Sequence, residues 1–188
     1  MQTLATHHRE SFAWHDKRMT AETGLTALQD RAWRMLVRLT VLLPRAVDDD
    51  LRRASELQLT SIGVLMHLSE APDHRLRMSD LAESTAMSPS RITRAVQTLA
   101  TTGDVYQCAS EADGRATIAV LTASGERRLR EAMPAHLASL RERVLDQIEP
   151  EELKQFVSIL TRLVARSEAP SAIRSSQPSG GIAGVSAV

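Results

Sequence analysis

The chain of 188 residues contains little of what marks secreted or membrane-spanning proteins. Cys108 is its one cysteine, which excludes a disulfide within the chain and favours a cytoplasmic protein. The apolar runs, such as residues 41–43, are far too short to span a bilayer, and the N-terminus has no apolar signal core. Aromatic residues make up only 3% of the chain, so the core must be aliphatic, which suits helices.

The chain also lacks an excess of charge, with 23 basic against 23 acidic residues. Phosphate neutralisation supplies most non-specific affinity for nucleic acids, so a neutral chain is expected to bind DNA with modest non-specific affinity. The distribution of charge matters more than its sum. Residues 88–102 contain Arg91 and Arg94 and no acidic residue, so one face can still be basic.

Apolar residues recur at three- and four-residue steps over most of the chain, which predicts a mostly α-helical fold. The longest such pattern, residues 25–54, contains Pro44, where we expect a kink. Thr60 and Ser79 are predicted to cap two short helices. Thr122 is predicted to cap a long helix that bends at Pro134 and whose apolar stripe comprises Leu129, Met133, Leu137, Leu140, Val144 and Ile148.

The segment 88–103 has the clearest local signals. Ser88 before Pro89 is a strong helix start, and Gly103 is a typical helix end. One face of this helix is apolar, and the other is expected to contact DNA, because arginine suits guanine, glutamine suits adenine, and Ser or Thr suits bases and phosphates. The predicted DNA-binding residues are Ser90, Arg91, Thr93, Arg94 and Gln97. Taken alone, the helix could equally be an ordinary polar surface helix.

Two strand-like runs, residues 105–108 and 117–121, predict a β-hairpin after this helix. The loop between them contains Asp113, Gly114 and Arg115. An arginine at a loop tip suits a narrow, electronegative minor groove, and Asp113 is placed to hold it by a charge-assisted hydrogen bond. A simple hairpin turn is the alternative for this loop.

The order of these elements resembles the winged helix-turn-helix of the MarR family of transcription regulators, over roughly residues 25–166. The motifs that carry the resemblance are Leu59-Thr60, Ser79-Asp80-Leu81-Ala82, Ser88-Pro89-Ser90-Arg91-Ile92-Thr93-Arg94, Leu99, Gly103, Asp113-Gly114-Arg115 and Leu121-Thr122-Ala123-Ser124-Gly125. The resemblance implies a mostly α fold with a small β-hairpin wing. It also implies a homodimer that binds a palindromic operator in double-stranded DNA, represses transcription, and releases DNA when a small phenolic or lipophilic ligand binds.

On this basis the predicted organisation has five parts. Residues 1–24 form a flexible arm, 25–58 a dimerisation helix, 59–122 the DNA-binding domain, 123–168 further dimerisation helices and 169–188 a disordered tail. Three amphipathic helices outside the DNA-binding unit also favour a two-fold partner. Residues expected to border a ligand cleft are Trp33, Met66, His67 and Met133, with plain core packing as the alternative.

The sequence departs from the family at the start of the wing. Asp104 stands where the family often has an apolar residue, and Gln107 and Cys108 stand where basic residues are frequent. Both changes are expected to reduce the positive charge of the wing.

Other functions are weighed on the same residues. Cys108 could serve a thiol-based redox regulator, but its neighbours Gln107 and Ala109 carry no charge that would activate it. His67 and His74 lack the paired spacing of a zinc site, so no metal and no cofactor are expected. The chain has no Gly-rich phosphate loop and no hydrolase motif, so an enzyme is not expected. A winged helix used for protein contacts stays open.

Overall fold

The computed structural model describes residues 24–110, 114 and 116–168. The fold is mostly α-helical with one small antiparallel sheet, as predicted. Single 3₁₀ turns lie at Pro72–His74 and Leu145–Gln147. The helices and strands are α1 (Ala27–Ser55), α2 (Leu59–Glu70), β1 (Arg75–Arg77), α3 (Met78–Ser84), α4 (Pro89–Thr101), β2 (Val105–Ala109), β3 (Thr117–Leu121), α5 (Ala123–Arg143) and α6 (Pro150–Glu168).

The sheet has three strands in the order β1-β3-β2. The β2–β3 hairpin confirms the predicted wing, with Val105 paired to Leu121 and Ala109 to Thr117. Strand β1 was not predicted from the sequence. Its three residues are too few for a period-two pattern, and they are extended because they pair with β3.

Two predicted helix caps are wrong because other groups take the position. Helix α2 begins at Leu59, and the N–H of Leu59 donates to the Asp48 carboxylate of α1 at 2.7 Å, so Thr60 lies inside the helix. Helix α3 begins at Met78, which places Ser79 in its first turn, where its hydroxyl donates to Asp80 instead. Helices thus borrow partners that spacing rules cannot see.

The predicted starts and ends around the wing are confirmed. Ser88 flanks α4 with Pro89 as its first residue, although the Ser88 side chain makes no capping bond. Gly103 follows the end of α4 with φ +74°, the left-handed conformation that glycine adopts without strain. Thr122 caps α5, because its Oγ1 accepts the N–H of Gly125 at 3.1 Å.

The stripe predicted for α5 is too long. The helix ends at Arg143, because Val144 has φ −132° and ψ −61° and leaves the helical region, so Val144 and Ile148 lie outside it. Both α1 and α5 continue through their prolines, Pro44 and Pro134.

The core is aliphatic, as the composition predicts. Fully buried leucine, isoleucine and valine side chains come from the C-terminal half of α1, from α2, from α4 and from the sheet: Val47, Leu51, Ile62, Val64, Leu65, Leu68, Leu81, Ile92, Val96, Leu99 and Val105. Helix α1 packs along α5, while α2 contacts α4, α5 and the sheet. This arrangement holds α4 and the hairpin on one framework.

The described chain divides into two compact units after Arg143. The second unit contains α6, which has no buried residue and leaves apolar side chains such as Val157 and Val164 exposed. None of the helices in the described ranges is long and apolar enough to cross a membrane.

Candidate nucleic-acid interface

Helix α4 has the two faces that the sequence predicts. Its buried side chains face the core, and the five predicted DNA-binding residues, Ser90, Arg91, Thr93, Arg94 and Gln97, are all exposed. The guanidinium groups of Arg91 and Arg94 have no hydrogen bond or ion pair with another residue in the described ranges. Both arginines are therefore available to a ligand outside the chain.

The hydroxyl groups of this face are partly committed to the helix itself. The Thr93 hydroxyl donates to the Pro89 carbonyl at 2.9 Å. The Ser88 and Ser90 hydroxyls lie 3.2 Å apart. Thr93 is thus better placed to accept a hydrogen bond than to donate one, which suits donors on DNA bases and disfavours phosphates.

A shallow depression beside α4 extends this face toward α2. It is lined by Gln58, Thr60, Arg91, Arg94, Ala95 and Thr98. Gln58 directly precedes α2, and Thr60 lies in its first turn. The sequence argument missed Gln58 as a neighbour of the two arginines; the only signal was the Leu59-Thr60 motif.

The tip of the wing is only partly described. Asp113 and Arg115 lie outside the described residues, so their predicted roles at the minor groove stay predictions. The base of the wing loop, residues 110–116, is closed by the Ser110 N–H, which donates to the Ala116 carbonyl at 2.8 Å. Gly114 within it is exposed.

Asp104 does not act as the sequence argument expected. Its side chain is buried, with 1% of the residue exposed. Its carboxylate pairs with Arg128 of α5 at 2.7 Å and also accepts the hydroxyls of Thr102 at 2.6 Å and Ser124 at 3.2 Å. Its charge is neutralised inside the protein, so the expectation that Asp104 reduces the charge of the wing is wrong. Cys108, half-buried, and Gln107, exposed, remain uncharged strand residues.

The same junction explains the Leu-Thr-Ala-Ser-Gly motif. The Thr122 hydroxyl donates to the Gly103 carbonyl at 2.7 Å, and the Thr122 N–H donates to the Asp104 carbonyl at 3.0 Å. At Gly125 an added Cβ would lie 2.1 Å from that Asp104 oxygen, which only glycine allows. Wing and α5 therefore meet backbone to backbone.

A second polar contact joins α1 to the far end of α5. The Asp50 carboxylate accepts Arg143 Nε at 2.6 Å and the Ser139 hydroxyl at 2.7 Å, and it also pairs with Arg53. The Arg143 hydrogen bond, followed by that of Ser139, holds the pKa of Asp50 well below its usual range. Asp50 in turn raises the pKa of Arg143.

The four residues predicted to border a ligand cleft do not line one groove. Trp33 is exposed and lines a groove with Arg34, Val37, Arg38, Val41 and Leu42, all within α1. Met66 and Met133 are partly buried against the core. His67 lies with Nδ1 2.8 Å from the Gly63 carbonyl and Nε2 3.1 Å from the Ser84 carbonyl, so it links α2 to the end of α3.

His136 was not singled out in the sequence. It is 8% exposed, and its Nδ1 has no hydrogen-bond partner among the described residues. Burial lowers the pKa of His136, since the charged imidazolium loses water there. No three His, Cys, Asp or Glu side chains of the described ranges are grouped so as to hold a metal ion.

Comparison with known proteins identifies the fold. The sequence model of the MarR family matches residues 55–116, from the end of α1 into the wing. Sco3205, a MarR family transcriptional regulator from Streptomyces coelicolor with a crystal structure in complex with DNA, is 34% identical, with a TM-score of 0.72 over 78% of this chain and 91% of Sco3205. The chain belongs to the MarR family. It is a transcription regulator of the winged helix-turn-helix type, with α3 and α4 as the helix-turn-helix and β2–β3 as the wing.

Other MarR proteins agree with this assignment. AbsC, a MarR family transcriptional regulator from Streptomyces coelicolor, is 32% identical, with a TM-score of 0.69 over 76% of this chain and 95% of AbsC. The HTH-type transcriptional repressor YetL of Bacillus subtilis is 32% identical over 103 residues, 55% of this chain. The aligned part is 61% of YetL, less than two thirds of that relative's length.

Proposed function

We propose that this protein is a homodimer that binds a palindromic operator in double-stranded DNA and represses transcription. The exposed face of α4 carries the proposal, because Arg91 and Arg94 stand there without a partner in the described ranges, on a helix whose other face is anchored in the core. Ser90, Thr93 and Gln97 add acceptors and donors for base edges. The protein would then act where the chromosome is, in the cytoplasm of bacteria such as those of its relatives.

The homodimer is proposed from two unpartnered apolar faces. In α1 the residue Leu28 is 77% exposed and Trp33 is 60% exposed, and Val37, Val41 and Leu42 are exposed near them. Helix α6 separately exposes Leu153, Val157, Leu160, Leu163 and Val164. Contiguous apolar surface of this kind marks an interaction site, and a two-fold partner would cover it. The two α4 helices would then read half-sites about 34–36 Å apart.

Release by a small lipophilic or phenolic ligand is the least supported part of the proposal. Its structural support is the apolar groove beside Trp33 and the partly buried Met66 and Met133. A screen of phenolic compounds by thermal shift, followed by DNA release, tests it. If no compound changes both melting and operator affinity, the repressor is constitutive. A thiol switch at Cys108 is not favoured, and hydrogen peroxide treatment without loss of DNA binding would dismiss it.

Selection of bound duplexes from a random library, at stated salt, tests the DNA-binding proposal. We expect enrichment of a two-fold symmetric sequence with half-sites about one helical turn apart. Arg91→Ala or Arg94→Ala should each cost about 1–3 kcal/mol on that operator and relax the base preference at one position. The control is Arg141→Ala, an exposed arginine near the opposite end of α5. Absence of any enriched sequence would contradict the proposal, and a winged helix used for protein contacts would then be favoured.

A further inference from the structure

Strand β1 carries two arginines, Arg75 and Arg77, that no part of the proposed recognition surface uses. Both side chains are exposed. Neither has a hydrogen bond or ion pair with another residue within the described ranges. Leu76 between them is half-buried and packs against the core, so the two arginines share the opposite, outer face of the sheet.

The outer face of the sheet does not neutralise these charges. Paired residues of neighbouring strands share a face, and the register aligns Arg75 with Val120 and Arg77 with Ile118. On β2 the corresponding residues are Tyr106 and Cys108. All four neighbours are uncharged. The nearest acidic residue in the following helix, Asp80, already accepts the Ser79 hydroxyl.

The register also places the two arginines at different distances from the wing loop. Arg77 pairs with Ile118, one residue from Thr117, where β3 begins after the wing loop. Arg75 lies two residues farther from the loop, about 7 Å along the strand. Arg77 also immediately precedes α3, the first helix of the helix-turn-helix, and in this motif that helix crosses the DNA backbone. Arg77 thus lies between two elements that approach DNA.

We propose that Arg77, and to a lesser extent Arg75, bind phosphates of the DNA backbone beside the wing. This proposal rests on the proposed DNA-binding function and extends its contact surface. Guanidinium groups form charge-assisted hydrogen bonds with phosphate oxygens, and such contacts position a protein on DNA without reading sequence. The two arginines supply non-specific affinity that the neutral composition and the uncharged strand β2 do not.

The test is the salt dependence of binding, measured by fluorescence anisotropy with the selected operator and with a scrambled duplex of equal length. For Arg77→Ala in the full chain, the slope of log K against log salt should fall by about 0.9 per lost phosphate contact in each half-site. Affinity should fall by the same factor on both duplexes, so the preference for the operator is unchanged. Arg75→Ala should act in the same direction with a smaller change, and Arg77→Lys should keep most of the slope.

Arg141→Ala is the matched control, because it removes the same charge from an exposed site near the opposite end of α5. If Arg77→Ala has the slope of Arg141→Ala, or if its loss of affinity is confined to the operator, the inference is overturned. That outcome leaves the proposed function intact whenever the unmodified protein still prefers the operator. If the unmodified protein binds neither duplex, the proposed function fails and the inference fails with it.

Discussion

The buried pair of Asp104 and Arg128 offers the sharpest test of how the wing is held. Replacing Arg128 by Met leaves a carboxylate that is 1% exposed with only the hydroxyls of Thr102 and Ser124 as donors. Removing one partner of a buried ion pair costs about 3–5 kcal/mol. The Arg128 side chain keeps 28% of its surface exposed, so water already reaches the site and the low end, about 3 kcal/mol, applies.

The reverse change should cost less. Asp104→Leu leaves a guanidinium that can turn toward water, so we expect a loss of about 1–2 kcal/mol, mostly from hydrogen bonds no longer made. Asp104→Leu combined with Arg128→Met should lose much less than the two single losses added, since a buried pair is often replaced by apolar side chains at little cost. The expected coupling energy is therefore about 2 kcal/mol or more.

Urea unfolding at one fixed protein concentration measures these differences, because the stability of a dimer depends on concentration. In a thermal scan the Arg128→Met loss should lower Tm by about 6–12 °C. Arg130→Ala is the control, because its pair with Glu126 is exposed and should contribute less than about 1 kcal/mol. A coupling energy below about 0.5 kcal/mol, the size expected of independent sites, would refute the claim that this pair anchors the wing to α5.

Three further predictions follow from single contacts. Gly125→Ala should destabilise by about 2 kcal/mol or more, because its Cβ would lie 2.1 Å from the Asp104 carbonyl oxygen, whereas Gly63→Ala, whose Cβ meets only Met87 Cε at 3.7 Å, should be neutral or gain up to about 1 kcal/mol; chemical denaturation of both distinguishes them. Because burial lowers the pKa of His136, wild-type stability should be complete above the ordinary value of 6.5 and decline as the pH falls through the folded-state value. His136→Leu should lose less stability than wild type between pH 7.5 and 5.5, and equal losses would contradict this. Asp50→Asn should be less stable than wild type at pH 7, and the difference should shrink as pH falls below the ordinary value of 3.8, since the stabilisation from the lowered pKa of Asp50 is lost on protonation. A difference that does not change with pH would mean that the Asp50 charge contributes nothing.

Features set by neighbours in sequence could be predicted without the structure. The three- and four-residue spacing of Ile92, Val96 and Leu99 determines which face of α4 is buried, and therefore which residues are exposed to DNA. The strands of the wing and the cap at Thr122 follow from equally local rules, and they lie where they were predicted. These features need only chain geometry and the polarity of adjacent side chains.

Features that depend on partners distant in sequence could not be predicted. Strand β1 exists because β3, some forty residues later, pairs with it, and the pairing is what turns Arg75 and Arg77 to one face. Asp104 looked like a lost positive charge on the wing because its partner, Arg128, lies on a different element. Thr60 lost its role as a cap to Asp48 for the same reason. Hydrogen bonds and ion pairs form between groups that packing brings together, and a linear pattern does not record which groups those are.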